Sequence, residues 1–292
     1  MRGELIRRKL RQGGRVYGTH IVSLGNPVDA RMRAALEMDF VFICTEHMPL
    51  DRTEVSMMCQ FYAAHGIAPI VRIPYPEPHL ACMALDAGAH GIVAPYVETV
   101  AEVRELVGAV RYRPIKGEFL RALLEGRRQP NAKLRAFFKR FNRDRFLIIG
   151  VESAAAIERL EELLADDGVD GVFLGPHDIT CSLEVPEEYE HPVFVRAVTD
   201  AIRRTRRLGR GVGIHLDQTA PVCRPFLKAG VNLILHAADV SLMRNRVNRD
   251  FQALRQRFGD VYTPGAGAAD GAAQCIAPRL QRMPSHKPRR QH

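Results

Sequence analysis

Short apolar segments alternate with amphipathic segments of helix length along most of this chain. Buried strands typically form from short apolar runs, and surface helices show an apolar period of about 3.6 residues. The predicted strands are residues 16–22, 40–44, 67–73, 91–95, 146–151, 171–175, 211–216 and 231–237. The predicted helices that follow them are residues 27–38, 52–64, 77–87, 100–110, 154–165, 192–208, 219–229 and 240–258.

This order of elements predicts a (β/α)8 TIM barrel. Apolar strands that alternate with helices form parallel sheets covered on both faces, and eight such units in about 250 residues match the barrel. A doubly wound sheet also alternates, but it normally has about six strands and a glycine-rich phosphate turn. The sequence contains no GxGxxG and no GxxxxGK[ST] motif, so the barrel is favoured.

The two ends of the chain lie outside the alternation. The N-terminal residues predict a short amphipathic helix with Leu5, Ile6 and Leu10 on one face. Residues 261–292 are rich in glycine, alanine, proline and basic residues, and their lack of a periodic apolar face predicts a disordered tail. We therefore expect one barrel domain over residues 1–260, followed by this tail.

The net charge of +9 is concentrated in two segments. Residues 111–145, a predicted insert in the barrel, hold twelve Lys and Arg against three Asp and Glu. Residues 278–292 add five basic residues and no acid. Because no nucleic-acid-binding module is recognisable, a solvated or anion-facing rim is favoured over nucleic-acid binding.

The apolar runs and the cysteines indicate the compartment. No apolar run approaches the ~20 residues needed to span a bilayer, and the charged N-terminus lacks the apolar core of a secretory signal. The six cysteines are scattered and form no CxxC pair. We therefore expect reduced cysteines in a cytoplasmic protein without membrane association.

Polar and ionisable side chains follow the predicted strands. The active site of a (β/α)8 barrel lies at the carboxyl ends of its strands, so these residues are the candidate site. They are Glu46, His47, Arg72, Glu152, His177, Asp178, His215 and His236, and the turn residues Gly175 and Pro176 lie beside His177 and Asp178.

Glu152 and Asp178 are the candidate metal ligands. Two carboxylates at adjacent strand ends supply the oxygen ligands that Mg²⁺ and Mn²⁺ prefer. The alternative is that each caps the helix that follows, and Ser153 beside Glu152 is itself a natural cap.

Arg72 and His47 also allow two interpretations each. A buried guanidinium needs an anionic partner, which for Arg72 is either Glu46 or an acid group of the substrate. His47 is either a proton carrier or a core histidine bonded to the backbone.

Five segments together resemble the HpcH/HpaI aldolase and citrate-lyase family. They are the Glu-His pair after strand 2, the Val-Arg that ends strand 3, LDAGAHGIVAPYV, GVES and GVDGVFLGPHDI, in order within residues 4–258. The resemblance implies a metal-dependent pyruvate aldolase. In it Glu152 and Asp178 would bind Mg²⁺, Mn²⁺ or Co²⁺, Arg72 would hold the enolate oxygen, and His47 would be the acid/base. Backbone amides in Gly175–Asp178 would bind the carboxylate of a 2-oxo acid.

The resemblance also implies an oligomer. An aspartate in the position of Asp86, supplied by a neighbouring subunit, would assist the catalytic histidine in a homohexamer built as a trimer of dimers. Glu46 and Cys44 would contact the catalytic side chains and help to hold them in place.

Three departures from the family pattern concern the rim of the site. Cys44 stands where an aspartate is common, His20 where a tryptophan is common, and His177 where a small residue is usual. The metal, arginine and histidine set is retained, so we expect enolate chemistry with a changed and more anionic partner.

These observations favour a carbon–carbon lyase that cleaves a 4-hydroxy-2-oxo acid to pyruvate and an aldehyde through a metal-stabilised enolate. No lysine lies at a strand end, which disfavours an imine mechanism. The alternatives are a condensing, citrate-synthase-like enzyme of the same fold and a catalytically degenerate barrel that acts as a binding protein.

Overall fold

The computed structural model describes residues 2–23 and 27–262 and contains a closed barrel of eight parallel strands. Each strand pairs with the next along the chain, and β8 pairs with β1. The strands are β1 (Val16–Ile21), β2 (Phe40–Cys44), β3 (Ala68–Arg72), β4 (Gly91–Ala94), β5 (Phe146–Val151), β6 (Gly171–Leu174), β7 (Gly211–Ile214) and β8 (Leu233–Ala238). The predicted (β/α)8 barrel is confirmed.

The described residues contain thirteen α-helices. They are α1 (Arg2–Arg11), α2 (Pro27–Ala34), α3 (Arg52–Ala64), α4 (Pro78–Asp86), α5 (Val100–Arg111), α6 (Gly117–Leu124), α7 (Ala132–Phe141), α8 (Ala154–Glu158), α9 (Leu160–Leu163), α10 (Pro176–Ser182), α11 (Pro192–Arg207), α12 (Arg224–Ala229) and α13 (Asp239–Phe258). A 3₁₀ turn, Pro221–Cys223, precedes α12. The predicted helix over residues 154–165 is divided at Arg159, whose ψ of 15° interrupts the helical backbone.

The basic insert is folded. It contains the helices α6 and α7, whose apolar residues Ala122, Leu123 and Phe138 are buried while the charged residues stay outside. Asn131 caps α7 by accepting a hydrogen bond from the backbone N–H of Leu134 at 2.9 Å. The strand alternation did not predict these two helices, because they lie within one strand-to-strand connection.

The barrel interior is filled by large side chains and is not a pore. Phe40, Phe42, Phe146 and Phe173 are fully buried on its inner face. A Cβ at Gly18 would lie 2.6 Å from the ring of Phe40, so only glycine leaves room for that ring.

Helix α1 closes the amino-terminal end of the barrel. Of the predicted apolar face, Ile6 and Leu10 are buried and pack with the interior side chains, whereas Leu5 is half-buried. The carbonyl of Leu10 accepts a hydrogen bond from Asn232 Nδ2 at 3.1 Å. With one end filled, ligands can approach the interior only from the carboxyl ends of the strands.

The chain forms two compact units, one ending at Met243 and one beginning at Arg244. The predicted division at residue 260 stays a prediction, and the predicted tail lies, from residue 263 onward, outside the described residues. Among the helices of residues 2–23 and 27–262, none is long and apolar enough to cross a membrane.

Candidate active site

Five strands end in polar side chains that face the inside of the barrel. Alternate residues of a strand face the same side, and Phe42 and Ile70, two residues before Cys44 and Arg72, belong to the packed interior. We call these side chains the mouth residues; they are His20, Cys44, Arg72, Glu152 and His215. Phe42 and Phe173, stacked with ring centroids 5.5 Å apart, form an aromatic floor beneath them.

Arg72 is held at the mouth by an ion pair with Glu46, in the turn after β2, and by hydrogen bonds to the sulfur of Cys44 at the end of β2. Its Nε lies 2.9 Å from Glu46 Oε2, and its Nη2 lies 3.1 Å from the sulfur of Cys44. Burial alone lowers the pKa of Arg72, but Cys44 and Glu46 raise it above its ordinary value. The guanidinium therefore stays charged, and of the two partners that the sequence allowed, the structure contains Glu46.

Tyr96 completes this network and was not singled out from the sequence. Its hydroxyl donates a hydrogen bond to Glu46 Oε1, and burial followed by this contact raises the pKa of Tyr96. The backbone at Tyr96 has a φ of 37°, a left-handed value uncommon outside glycine. No sequence pattern indicates this contact, since it joins loops fifty residues apart.

His47 lies at the rim and not in the core. Its side chain is 59% exposed, and its Nε2 lies 3.7 Å from Glu46 Oε1. Its backbone N–H donates to the sulfur of Cys44 at 3.4 Å. The interpretation as a buried core histidine is therefore wrong, whereas its catalytic role stays a prediction.

Glu152 is a buried carboxylate that has a backbone hydrogen bond from Tyr96 but leaves one oxygen without a partner. Its Oε1 has no hydrogen bond within the described residues, and the residue is only 6% exposed. Burial, followed by the charge of Asp178, raises the pKa of Glu152 to about 7. Ser153, and not Glu152, caps α8 by accepting from the N–H of Ala156 at 3.1 Å.

The side chains of Glu152 and Asp178 both approach Gly175. A Cβ at Gly175 would lie 2.9 Å from Glu152 Cγ and 3.3 Å from Asp178 Oδ2. Asp178 is in the first turn of α10, which has no side-chain cap within the described residues. Neither carboxylate thus serves as a cap, and the glycine leaves a gap where both approach.

This gap fits a hard divalent cation. Mg²⁺ is typically bound through one or two carboxylates, with water and substrate at its other positions. A buried oxygen without a hydrogen bond is costly unless an ion or a proton satisfies it. Among residues 2–23 and 27–262, no group of three or more His, Cys, Asp and Glu is arranged to hold a metal, so the gap presents two carboxylates only.

His177 and Asp86 lie apart from the mouth residues. His177 is exposed on α10, and its Nδ1 lies 3.5 Å from the hydroxyl of Tyr189. Asp86 ends α4, has a 61% exposed side chain and is paired with Arg113. It lines a groove of about 700 Å³ between α3 and α4 that also includes Thr45. The catalytic role of Asp86 requires a second copy of the chain and stays a prediction.

Comparison with known proteins places this geometry in a family. The sequence pattern of the HpcH/HpaI aldolase/citrate lyase family matches residues 22–245. The hydroxypyruvate/pyruvate aldolase of Deinococcus radiodurans is 33% identical over 231 residues, covering 79% of this chain and 83% of that protein. The 2-keto-3-deoxy-L-rhamnonate aldolase of Klebsiella pneumoniae is 30% identical, covering 75% of this chain and 82% of that protein.

A solved structure agrees in fold and in sequence. The crystal structure of a family protein from Burkholderia cenocepacia superposes with a TM-score of 0.72 at 30% identity. The match covers 86% of this chain and 99% of that one.

Proposed function

Because this chain belongs to the HpcH/HpaI aldolase/citrate lyase family, we propose that it is a divalent-metal-dependent carbon–carbon lyase. The reaction cleaves a 4-hydroxy-2-oxo acid to pyruvate and an aldehyde. The observation that carries the proposal is the approach of Glu152 and Asp178 to the gap at Gly175, beside a charged Arg72. Sites of this kind in barrels bind a substrate through a metal and a fixed cation together.

Glu152 and Asp178 would hold the metal, which would be Mg²⁺, Mn²⁺ or Co²⁺. When bound, the ion supplies Lewis-acid polarisation of the substrate keto oxygen. The segment Gly175–Asp178 borders the same gap and is proposed to bind the substrate carboxylate through its backbone amides.

Arg72 provides fixed positive charge at the oxygen where negative charge develops. Cleavage of the C3–C4 bond leaves its electron pair on C3, delocalised onto the C2 oxygen as an enolate. Glu46 and Cys44 hold the guanidinium before the reaction begins, so little reorganisation is needed. His47, protonated when the C4 hydroxyl loses its proton, then returns that proton to C3 of the enolate, which yields pyruvate.

His47 accepts the proton of the C4 hydroxyl as the aldehyde forms. Imidazole transfers protons reversibly near neutral pH, and a positioned acid/base contributes roughly 10²–10⁴-fold. The exposure of His47 at the rim leaves its ring accessible to substrate, and its Nε2 lies 3.7 Å from Glu46 Oε1. The homohexamer and the contribution of Asp86 from a neighbouring subunit remain parts of this proposal.

The test uses oxaloacetate, whose decarboxylation produces the pyruvate enolate without an aldehyde. The purified chain with Mn²⁺ is expected to release pyruvate, and to stop when a chelator removes the ion. Asp178→Ala is expected to abolish both the reaction and stoichiometric Mn²⁺ binding. Asp200→Ala, which removes a 58% exposed carboxylate on α11, is the matched control and keeps both. Full activity in excess chelator would disprove the metal dependence.

A further inference from the structure

Two mouth residues, His20 and His215, take no part in the proposed enolate chemistry. They end β1 and continue β7, and their ring centroids lie 5.4 Å apart. The two imidazoles therefore form a polar wall on one side of the barrel mouth.

This wall adjoins the enolate half of the site. The His20 ring lies 5.4 Å from the Phe42 ring, and the His215 ring lies 6.1 Å from it. The guanidinium carbon of Arg72 lies 5.6 Å from the same ring. When Arg72 holds the keto oxygen of a substrate above Phe42, the carbon atoms from C4 onward point toward the two histidines. In the proposed reaction, these atoms form the aldehyde.

One nitrogen of His20 lacks a polar partner. His20 is only 7% exposed, and its Nε2 is buried without a hydrogen bond within the described residues. A buried polar nitrogen without a partner costs free energy, and such atoms in native proteins commonly have a ligand or a water. The wall is therefore suited to a polar group and not to an alkyl chain.

The charge of the pair indicates which polar group it fits. Burial is the largest cause that lowers the pKa of His20 to about 4 and the pKa of His215 to about 3, with Arg72 contributing to both. Both rings are therefore neutral at pH 7. A neutral imidazole has one donor and one acceptor, which matches a hydroxyl group, whereas a carboxylate or a phosphate only accepts hydrogen bonds.

We propose that His20 and His215 bind a hydroxyl group on the aldehyde half of the substrate and select uncharged hydroxyaldehydes. This assignment rests on the proposed lyase function and names the class of its second product. It also revises the expectation from the sequence of a more anionic partner, since two neutral rings add no positive charge. Cleavage of the matching substrate then breaks the C3–C4 bond to give pyruvate and a hydroxyaldehyde.

The experiment measures acceptor selectivity in the condensing direction, with pyruvate and Mg²⁺. Glycolaldehyde and propanal have the same shape and differ in a hydroxyl against a methyl group. The wild-type ratio of kcat/KM for glycolaldehyde over propanal is expected to be about tenfold or more, because sites that bind a hydroxyl discriminate against analogues that lack it. Glyoxylate, an anionic aldehyde, is expected to rank below glycolaldehyde.

Variants assign the selectivity to the pair. His20→Phe and His215→Phe are each expected to lower the ratio to about threefold or less, whereas His20→Asn keeps part of it because the amide donates and accepts. His65→Phe is the matched control and keeps the wild-type ratio. His65 is exposed at the carboxyl end of α3, and its Nδ1 lies 2.8 Å from the carbonyl oxygen of Phe61.

The outcomes separate the two proposals. A wild-type ratio near one, a preference for glyoxylate, or an unchanged ratio in both phenylalanine variants overturns the selectivity. Oxaloacetate decarboxylation by the wild type then shows whether the lyase function still stands. Absence of that decarboxylation overturns the lyase function itself, together with the selectivity that rests on it.

Discussion

The sulfur of Cys44 accepts hydrogen bonds from Arg72, at 3.1 Å from Nη2 and 3.4 Å from Nε. The two residues are partners in the register of β2 and β3, and both are buried at the mouth of the barrel. The thiol therefore lies directly beside the guanidinium, at the position where the resemblance to the family implied an aspartate. Because Glu46 also contacts Arg72, the arginine keeps an anionic partner without that second acid.

Cys44→Ala should lower kcat for oxaloacetate decarboxylation by about tenfold, because Arg72 loses one of the two groups that orient it. Cys44→Ser restores a small acceptor and should stay within about threefold of wild type. Steady-state kinetics of the two variants side by side provides the check. An alanine variant as active as the wild type would mean that Glu46 alone positions the guanidinium.

Arg72→Lys should lower kcat by about 10²–10³-fold although the charge is retained. A lysine ammonium is a point charge and cannot contact Glu46 and Cys44 while also facing the enolate oxygen, as the planar guanidinium can. The matched control is Arg203→Lys on the exposed surface of α11, which should leave kcat unchanged. Equal kcat values for the two lysine variants would contradict the role of Arg72.

Gly175→Ala should weaken Mn²⁺ binding by at least about tenfold while the fold persists. Its methyl group would lie 2.9 Å from Glu152 Cγ and 3.1 Å from Cδ, so the carboxylate has to move out of the gap. Mn²⁺ titration followed by electron paramagnetic resonance measures the affinity, and circular dichroism reports the fold. Unchanged affinity in a folded variant would place the metal elsewhere.

Mn²⁺ affinity should rise with pH up to about 7 and then level off. In the metal-free protein the pKa of Glu152 is raised from 4.5 to about 7, first by burial and then by Asp178. The ion binds the carboxylate, so below this pKa a proton must leave before the metal enters. The raised pKa of Glu152 also affects folding stability. Without metal, the contribution of Glu152 to the free energy of unfolding is fully present below pH 4.5 and is lost as the pH rises through about 7. Isothermal titration between pH 5.5 and 8.5 would show a flat profile if Glu152 were not a ligand.

Leu10→Ala should destabilise the protein by about 2–5 kcal/mol without altering selectivity at the site. Leu10 is fully buried where α1 fills the amino-terminal end of the barrel, so truncation leaves a cavity. Urea unfolding compares this variant with Leu36→Ala, whose side chain is 63% exposed and whose loss should cost little. Similar unfolding free energies for the two variants would show that α1 does not support the barrel.

The alternation of apolar runs with helical periods determined the barrel, because parallel strands must be apolar on both faces to be buried between layers. It also determined where to look for chemistry. Glu152 and Asp178 follow strands, and strand ends of a barrel meet at one rim whatever their separation along the chain. The boundaries of α2 and α8, and the helices of the insert, depended on local packing that periodicity does not record.

Only the tertiary structure decided what each polar residue at the rim contacts. It excluded capping by Glu152, paired Arg72 with Glu46 and Cys44, and brought Tyr96 to Glu46 from another loop. It also decided the charge of His20 and His215, because the pKa of an imidazole depends on burial and on nearby charges. Sequence order specifies which side chains reach the rim, whereas solvation and hydrogen bonding there depend on distances that only the folded chain defines.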